Sequence, residues 1–125
     1  MIKVKEITDI SVLTELENKF SCGYVQGDRG LLMSENDQQL GFAVMGLVKT
    51  VVEIKGIKLK ESLGFPYKDL LTRSLLAVLR DFNPIIVRVK SDDKYYEMFG
   101  FVKNGDYYEI VTTDINLAGS CCAHK

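Results

Sequence analysis

The chain has 125 residues, 46% of them hydrophobic and 26% charged, with a net charge of −1. That length sets one domain with a core of its own, and that charge gives no electrostatic basis for holding nucleic acid or an anionic membrane. No apolar run is long enough to span a bilayer, and Met1-Ile2-Lys3-Val4-Lys5-Glu6 alternates where a secretory leader would be continuously apolar. A cytoplasmic protein without nucleic-acid or membrane partners is therefore expected. Its cysteines are Cys22, Cys121 and Cys122. An odd number with two adjacent is no disulfide framework, so reduced thiols are expected.

Residues 2–7 alternate and read as a first strand. Asp9 is placed to cap a short amphipathic helix with Ile10, Leu13, Leu16 and Phe20 on one face and Glu15, Glu17 and Lys19 on the other. Residues 21–30 carry turn chemistry and read as a loop. A strand over 30–34 follows, then the turn Glu35-Asn36-Asp37-Gln38 and a nearly continuous apolar strand over 40–48, expected to be covered on both faces. Beyond Lys49-Thr50, residues 51–59 alternate strictly, but the apolar parity moves from Val52 and Ile54 to Ile57 and Leu59 across Gly56. A one-residue change of parity at a glycine marks a β-bulge or a strand end splayed from its neighbour.

The strongest helix pattern begins at Tyr67 and places Leu70, Leu71, Ser74, Leu75, Val78, Leu79 and Phe82 on one face. Pro66 stands just before it and Asp69 falls in the expected first turn, both suited to a helix start. Asn83-Pro84 ends it. The short β-branched run Ile85-Ile86-Val87-Arg88-Val89 reads as a buried strand. Asp92 and Asp93 are read as caps of a helix at Tyr95-Tyr96-Glu97-Met98-Phe99-Gly100-Phe101. Residues 102–106 read as a turn, and 107–112 as a closing strand whose exposed edge offers a homodimer contact.

The domain is thus 1–112, and 113–125 reads as a tail. Cys121, Cys122 and His124 in that tail are metal-binding residue types, but three so crowded need further ligands, so no metal site is assigned. A frayed tail with reactive thiols stands against a metal or redox handle, or a tail folded over a site. The element order β-α-β-β-β-α-β-α-β predicts a single α+β domain with a mixed, mostly antiparallel sheet.

This order, with the segment from Tyr95 to Phe101, resembles the GNAT superfamily of acyl-CoA-dependent N-acetyltransferases. The segment is similar to the family's fourth-helix motif, a tyrosine, three variable residues, then Gly-Phe. Val52-Glu53-Ile54-Lys55-Gly56-Ile57-Lys58-Leu59 is similar to its fourth strand, and the resemblance spans residues 2–112. It implies transfer of an acetyl group from acetyl-CoA to a primary amine of a small-molecule or peptide acceptor. It implies a pantetheine arm along the backbone of Ile57, Lys58 and Leu59, and a pyrophosphate near Gly64, Tyr67, Lys68 and Asp69. Tyr96 would protonate the departing thiolate, and Glu53 would act as general base through water.

The family's glycine-rich pattern before the third helix is altered here. Lys60-Glu61-Ser62-Leu63-Gly64-Phe65-Pro66-Tyr67-Lys68-Asp69-Leu70 has one glycine, and by register the motif glycines fall near Leu70 and Thr72. Asp69 would repel a phosphate, and Lys60 and Lys68 would offset it. Two function classes stay open: an acetyltransferase, favoured by Tyr96-x-x-x-Gly100-Phe101, and a non-catalytic GNAT-fold binding module, favoured by the altered loop. At the level of residues, Tyr96 also fits a packing role with its hydroxyl at the surface. Glu53 fits a solvated carboxylate alternating with Lys55.

Overall fold

The computed structural model describes residues 1–118; Cys121, Cys122 and His124 lie outside them. The chain runs β1 (Ile2–Ile7), α1 (Ile10–Phe20), β2 (Arg29–Glu35), β3 (Gln38–Val48), β4 (Val51–Leu59), α2 (Phe65–Arg80), β5 (Ile86–Lys90), a 3-10 helix (Lys94–Phe99), β6 (Val102–Asn104), β7 (Tyr107–Val111) and a last 3-10 turn (Thr112–Asp114). The predicted order holds. Two details differ: the third helix is a 3-10 helix, and the expected turn over 102–106 contains a short strand.

The strands form one sheet in the order β1-β2-β3-β4-β5-β7-β6. Every neighbouring pair is antiparallel except β4 and β5. That one parallel pair needs a crossover, which α2 supplies. Because β6 folds back onto β7, the expected edge strand is interior. The edges are β1 and β6, so β7 offers no free edge for strand pairing.

Local chemistry sets the ends of the elements. Asp9 caps α1, accepting from the Ser11 and Val12 amides. The β2–β3 turn places Asn36 and Asp37 at positive φ (52° and 67°), residues that tolerate the left-handed region and suit a tight hairpin. At the other hairpin Lys49 takes φ 58°. Gly100 ends the 3-10 helix at φ 103°, donating its N–H to the carbonyls of Glu97 and Tyr96, and Phe101 then turns into the core at 3% exposure. The Gly-Phe pair is therefore a helix stop followed by an anchor.

α2 covers one face of the sheet. Leu71, Leu75, Leu76 and Leu79 are fully buried against Met45, Val52, Ile54, Val87 and Val89, each contributing about 1.5–3 kcal/mol. The buried stripe is rotated from the expected one. Leu70 is 39% exposed, while Thr72 is buried. The helix starts at Phe65 behind Gly64, so Asp69 lies beyond the first turn, paired with Arg73. α1 covers the other face only over the first strands, where Leu13, Leu16 and Phe20 meet Leu32, Phe42 and Val44. Ile10, expected on that face, is half exposed.

Among the described residues no helix covers the same face of β4, β5 and β7, so β5 alternates: Val87 and Val89 are buried, whereas Ile86 is exposed and Arg88 half-buried. Packing also continues past Thr112. Ile115 is buried, Asn116 N–H donates to the Phe99 carbonyl, and Arg73 Nη1 donates to the Leu117 carbonyl. The compact unit thus reaches at least Leu117. No helix among the described residues is long and apolar enough to cross a membrane.

Candidate functional site

The parity change at Gly56 is a β-bulge. Val44 faces Gly56 but Met45 faces Ile54, which leaves Lys55 as the extra residue. The bulge coincides with the end of the parallel pairing. β4 bonds β5 only from Val51 to Ile54, opposite Ile86 to Val89. Beyond Ile54, β4 keeps β3 on one side and, among the described residues, has no strand on the other. The separation opens a cleft of about 310 Å³ lined by Glu53 to Ile57 on one side, Val89 to Ser91 on the other, and Lys68 and Tyr96. Four residues singled out from the sequence, Glu53, Ile57, Lys68 and Tyr96, therefore meet at one opening.

Tyr96 is 6% exposed, its ring packed edge-on against Tyr95 and Phe101 with centroids 5.5 Å away. Its hydroxyl makes no hydrogen bond to any described residue and is not among the sealed, unpartnered polar atoms. The ring is thus fixed in the core with its polar end at the cleft. Burial, helped by the Asp93 carboxylate, pushes its phenol up to about 12. Asp93 also caps the 3-10 helix through the Tyr95 amide, whereas Asp92, expected to share that task, pairs with Lys103 at 2.7 Å.

Glu53 sits across the parallel pair from Arg88, with 3.8 Å between Oε1 and Nη2. Both point away from α2, since their neighbours Val52, Ile54, Val87 and Val89 fill the core. The Glu53 carboxylate is half-buried at the cleft rather than fully solvated, and Lys55 is held by Asp28 at 2.7 Å.

The loop before α2 differs in register from its expected place. Lys60 N–H donates to Leu40 C=O, Leu63 N–H closes back on Lys60 C=O, and Ser62 takes φ 77°. Gly64 is the N-cap, so the loop is residues 60–64 and Leu70 and Thr72 lie inside the helix. Pro66 has no N–H and the Tyr67 amide donates to the Gly64 carbonyl. This helix start therefore offers few backbone donors, and an anion placed here would depend on the helix dipole and on Lys60 and Lys68. Asp69 faces elsewhere: it binds Arg73 at 2.9 Å and accepts the Tyr95 hydroxyl. Tyr67 packs on the core, and Lys58 and Leu59 continue β4 beyond the cleft.

Two features were missed in the sequence. Arg88 lay inside an apolar run; a lone charge in such a run was its signal. The α1–β2 loop packs over the bulge, pinned by Glu17, whose carboxylate accepts the amides of Cys22, Gly23 and Tyr24. Cys22 is buried at 2% exposure, its thiol pushed up to about 12 by burial and the Glu17 charge.

No family model matches the sequence, and no curated protein matches it. The fold matches many solved structures. Tetrahymena GCN5 superposes with TM-score 0.68 at 14% identity, over 90% of this chain and 97% of that one. A GNAT family acetyltransferase from Brucella melitensis in complex with acetyl-CoA gives 0.66 at 15% identity, over 89% and 88% of the two chains. The Escherichia coli N-acetyltransferase YhbS in complex with CoA gives 0.64 at 15% identity, over 90% and 82%. The chain has the GNAT fold.

Proposed function

We propose that this protein transfers an acetyl group from acetyl-CoA to a primary amine at the cleft between β4 and β5. The observation that carries this reading is the coincidence of three features at one place. The β4 bulge, the end of β4–β5 pairing and the Tyr96 hydroxyl all meet there. Beyond Ile54 the β5-facing side of β4 pairs with no strand among the described residues, so backbone groups on that side of Ile57, Lys58 and Leu59 would bond an amide-bearing pantetheine arm. The pyrophosphate would lie at the start of α2, with Gly64 at the cap and Lys68 beside it.

In this reading Glu53 takes a proton from the ammonium, directly or through water, and the freed nitrogen lone pair attacks the thioester carbonyl. The new C–N bond forms, the nitrogen sheds its second proton to solvent, and the C–S bond breaks with its electron pair on sulfur. Magnitudes limit what Tyr96 does next. A phenol at about 12 lies roughly 3 units above an ordinary thiol, so outright proton transfer to a thiolate costs about 4 kcal/mol. Tyr96 instead donates a hydrogen bond to the departing sulfur, and the thiolate takes its proton from water. Steady-state release of free CoA thiol, measured over a panel of primary amines, tests the reaction. Amine-dependent release supports it; binding of acetyl-CoA without turnover favours the alternative of a non-catalytic module, which the sparse donors at the start of α2 support.

A further inference from the structure

Arg88 stands on the sheet face that no helix of the described residues covers, and it makes no hydrogen bond to any described residue. Its Nε is sealed from solvent and unpartnered. Glu53 lies 3.8 Å from Nη2, beyond hydrogen-bond range. Glu109, directly opposite on β7, accepts the Asn104 Nδ2–H on its Oε1 instead. The guanidinium is held by the Tyr107 ring, 4.5 Å from its carbon. A planar fork of N–H donors is thus positioned on an aromatic plate, the arrangement that suits a carboxylate.

The surrounding charges narrow the ligand. A bare anion on Arg88 would face Glu53 and Glu109; a bare amine on Glu53 would face Arg88 and Lys90, which also borders the cleft. A molecule carrying both charges close together satisfies each side. We propose that Glu53 and Arg88 form the acceptor subsite and that the acceptor is a free α-amino acid, its ammonium on Glu53 and its carboxylate on Arg88. The two charges of an α-amino acid are joined through a single carbon, which matches side chains this near one another. Glu53 also borders the cleft, so the same contact brings the nitrogen toward the thioester. The substrate class rests on the acetyl-transfer reading; the binding of the zwitterion does not.

The test therefore has two arms. In the first, the Arg88 Nε–H resonance of the ¹⁵N-labelled full chain, assigned with Arg88→Gln, is followed without acetyl-CoA. The titrants are the common amino acids, their carboxamides, and acetate. The inference expects a saturable shift with one or more amino acids and none with the matching amide or with acetate. In the second, kcat/KM with acetyl-CoA should favour the amino acid over its amide by about tenfold or more, a preference that Arg88→Gln removes and Arg88→Lys partly restores. Circular dichroism confirms that the variants fold. Equal response to amide and acid, or to acetate alone, overturns the inference. So does a silent Arg88 resonance. Turnover with no such preference overturns it while leaving acetyl transfer in place, and a zwitterion-specific shift without acetyl-CoA binding overturns acetyl transfer alone.

Discussion

Gly56 on β4 lies directly against Cys22 of the α1–β2 loop: a Cβ at Gly56 would come within 2.7 Å of the Cys22 carbonyl oxygen and 2.9 Å of its Cα. Both contacts are backbone, so neither can swing aside. The glycine at the bulge thus lets the loop lie on the sheet just where β4 leaves β5. Gly56→Ala is expected to force the loop outward, with a loss of about 1–3 kcal/mol of stability. Acetyl-CoA affinity should fall with it. Denaturant unfolding and calorimetry on the variant check the two effects.

Glu17 holds the same loop from the helix side. Its carboxylate accepts three backbone amides, with Cys22 and Tyr24 sharing Oε1 and Gly23 on Oε2. Glu17→Ala leaves these donors without their acceptor and should cost about 1–3 kcal/mol. Hydrogen exchange should accelerate at the Cys22, Gly23 and Tyr24 amides before it does in β2 or β3. A uniform change across the sheet would show instead that Glu17 supports the whole domain.

Tyr96→Phe keeps the ring that packs on Tyr95, Phe101 and Tyr108 and removes only the hydroxyl. Stability should hardly change. Turnover should fall about 10- to 100-fold through loss of a transition-state hydrogen bond, while acetyl-CoA affinity stays within about twofold. Since burial pushes the phenol up to about 12, the wild-type rate should show no limb from Tyr96 deprotonation below about pH 11.

Alkaline pH tests the burial of two groups together. The Cys22 thiol is raised from 9.0 to about 12 and the Tyr96 phenol from 10.0 to about 12. Each loses its proton more readily unfolded than folded. The unfolded state therefore holds fewer protons at high pH, and stability falls as pH rises. Both contributions are complete below pH 9 and are lost between pH 9 and 12, by a few kcal/mol in total. Cys22→Ala should flatten the start of that decline in urea midpoints measured against pH.

The parts of the fold legible in the sequence are those set by neighbours along the chain. Asp9 caps α1 because Ser11 and Val12 follow it, and the parity change around Gly56 is the bulge itself. What was misread depends on partners distant in sequence. The buried face of α2 turned toward Leu71, Thr72 and Leu76 because packing against β3 and β4, not the helix's own periodicity, chose it. The closing strand is interior because β6, only three residues long, pairs outside it. Tyr96 and Glu53, which both line the cleft, were singled out from motif and strand position. Arg88 was not, because its relation to Glu53 exists only once the parallel pairing sets the register.

Calorimetric titration of the reduced protein with acetyl-CoA is the most direct test of the central claim, that the opening between β4 and β5 is an acyl-CoA site. Binding with a dissociation constant in the micromolar range or tighter, about −8 kcal/mol, is predicted, weakened by Lys68→Glu beside the start of α2. Absence of heat at about millimolar ligand, where binding free energy would be weaker than about −4 kcal/mol, would contradict it and leave the fold as a scaffold for some other partner.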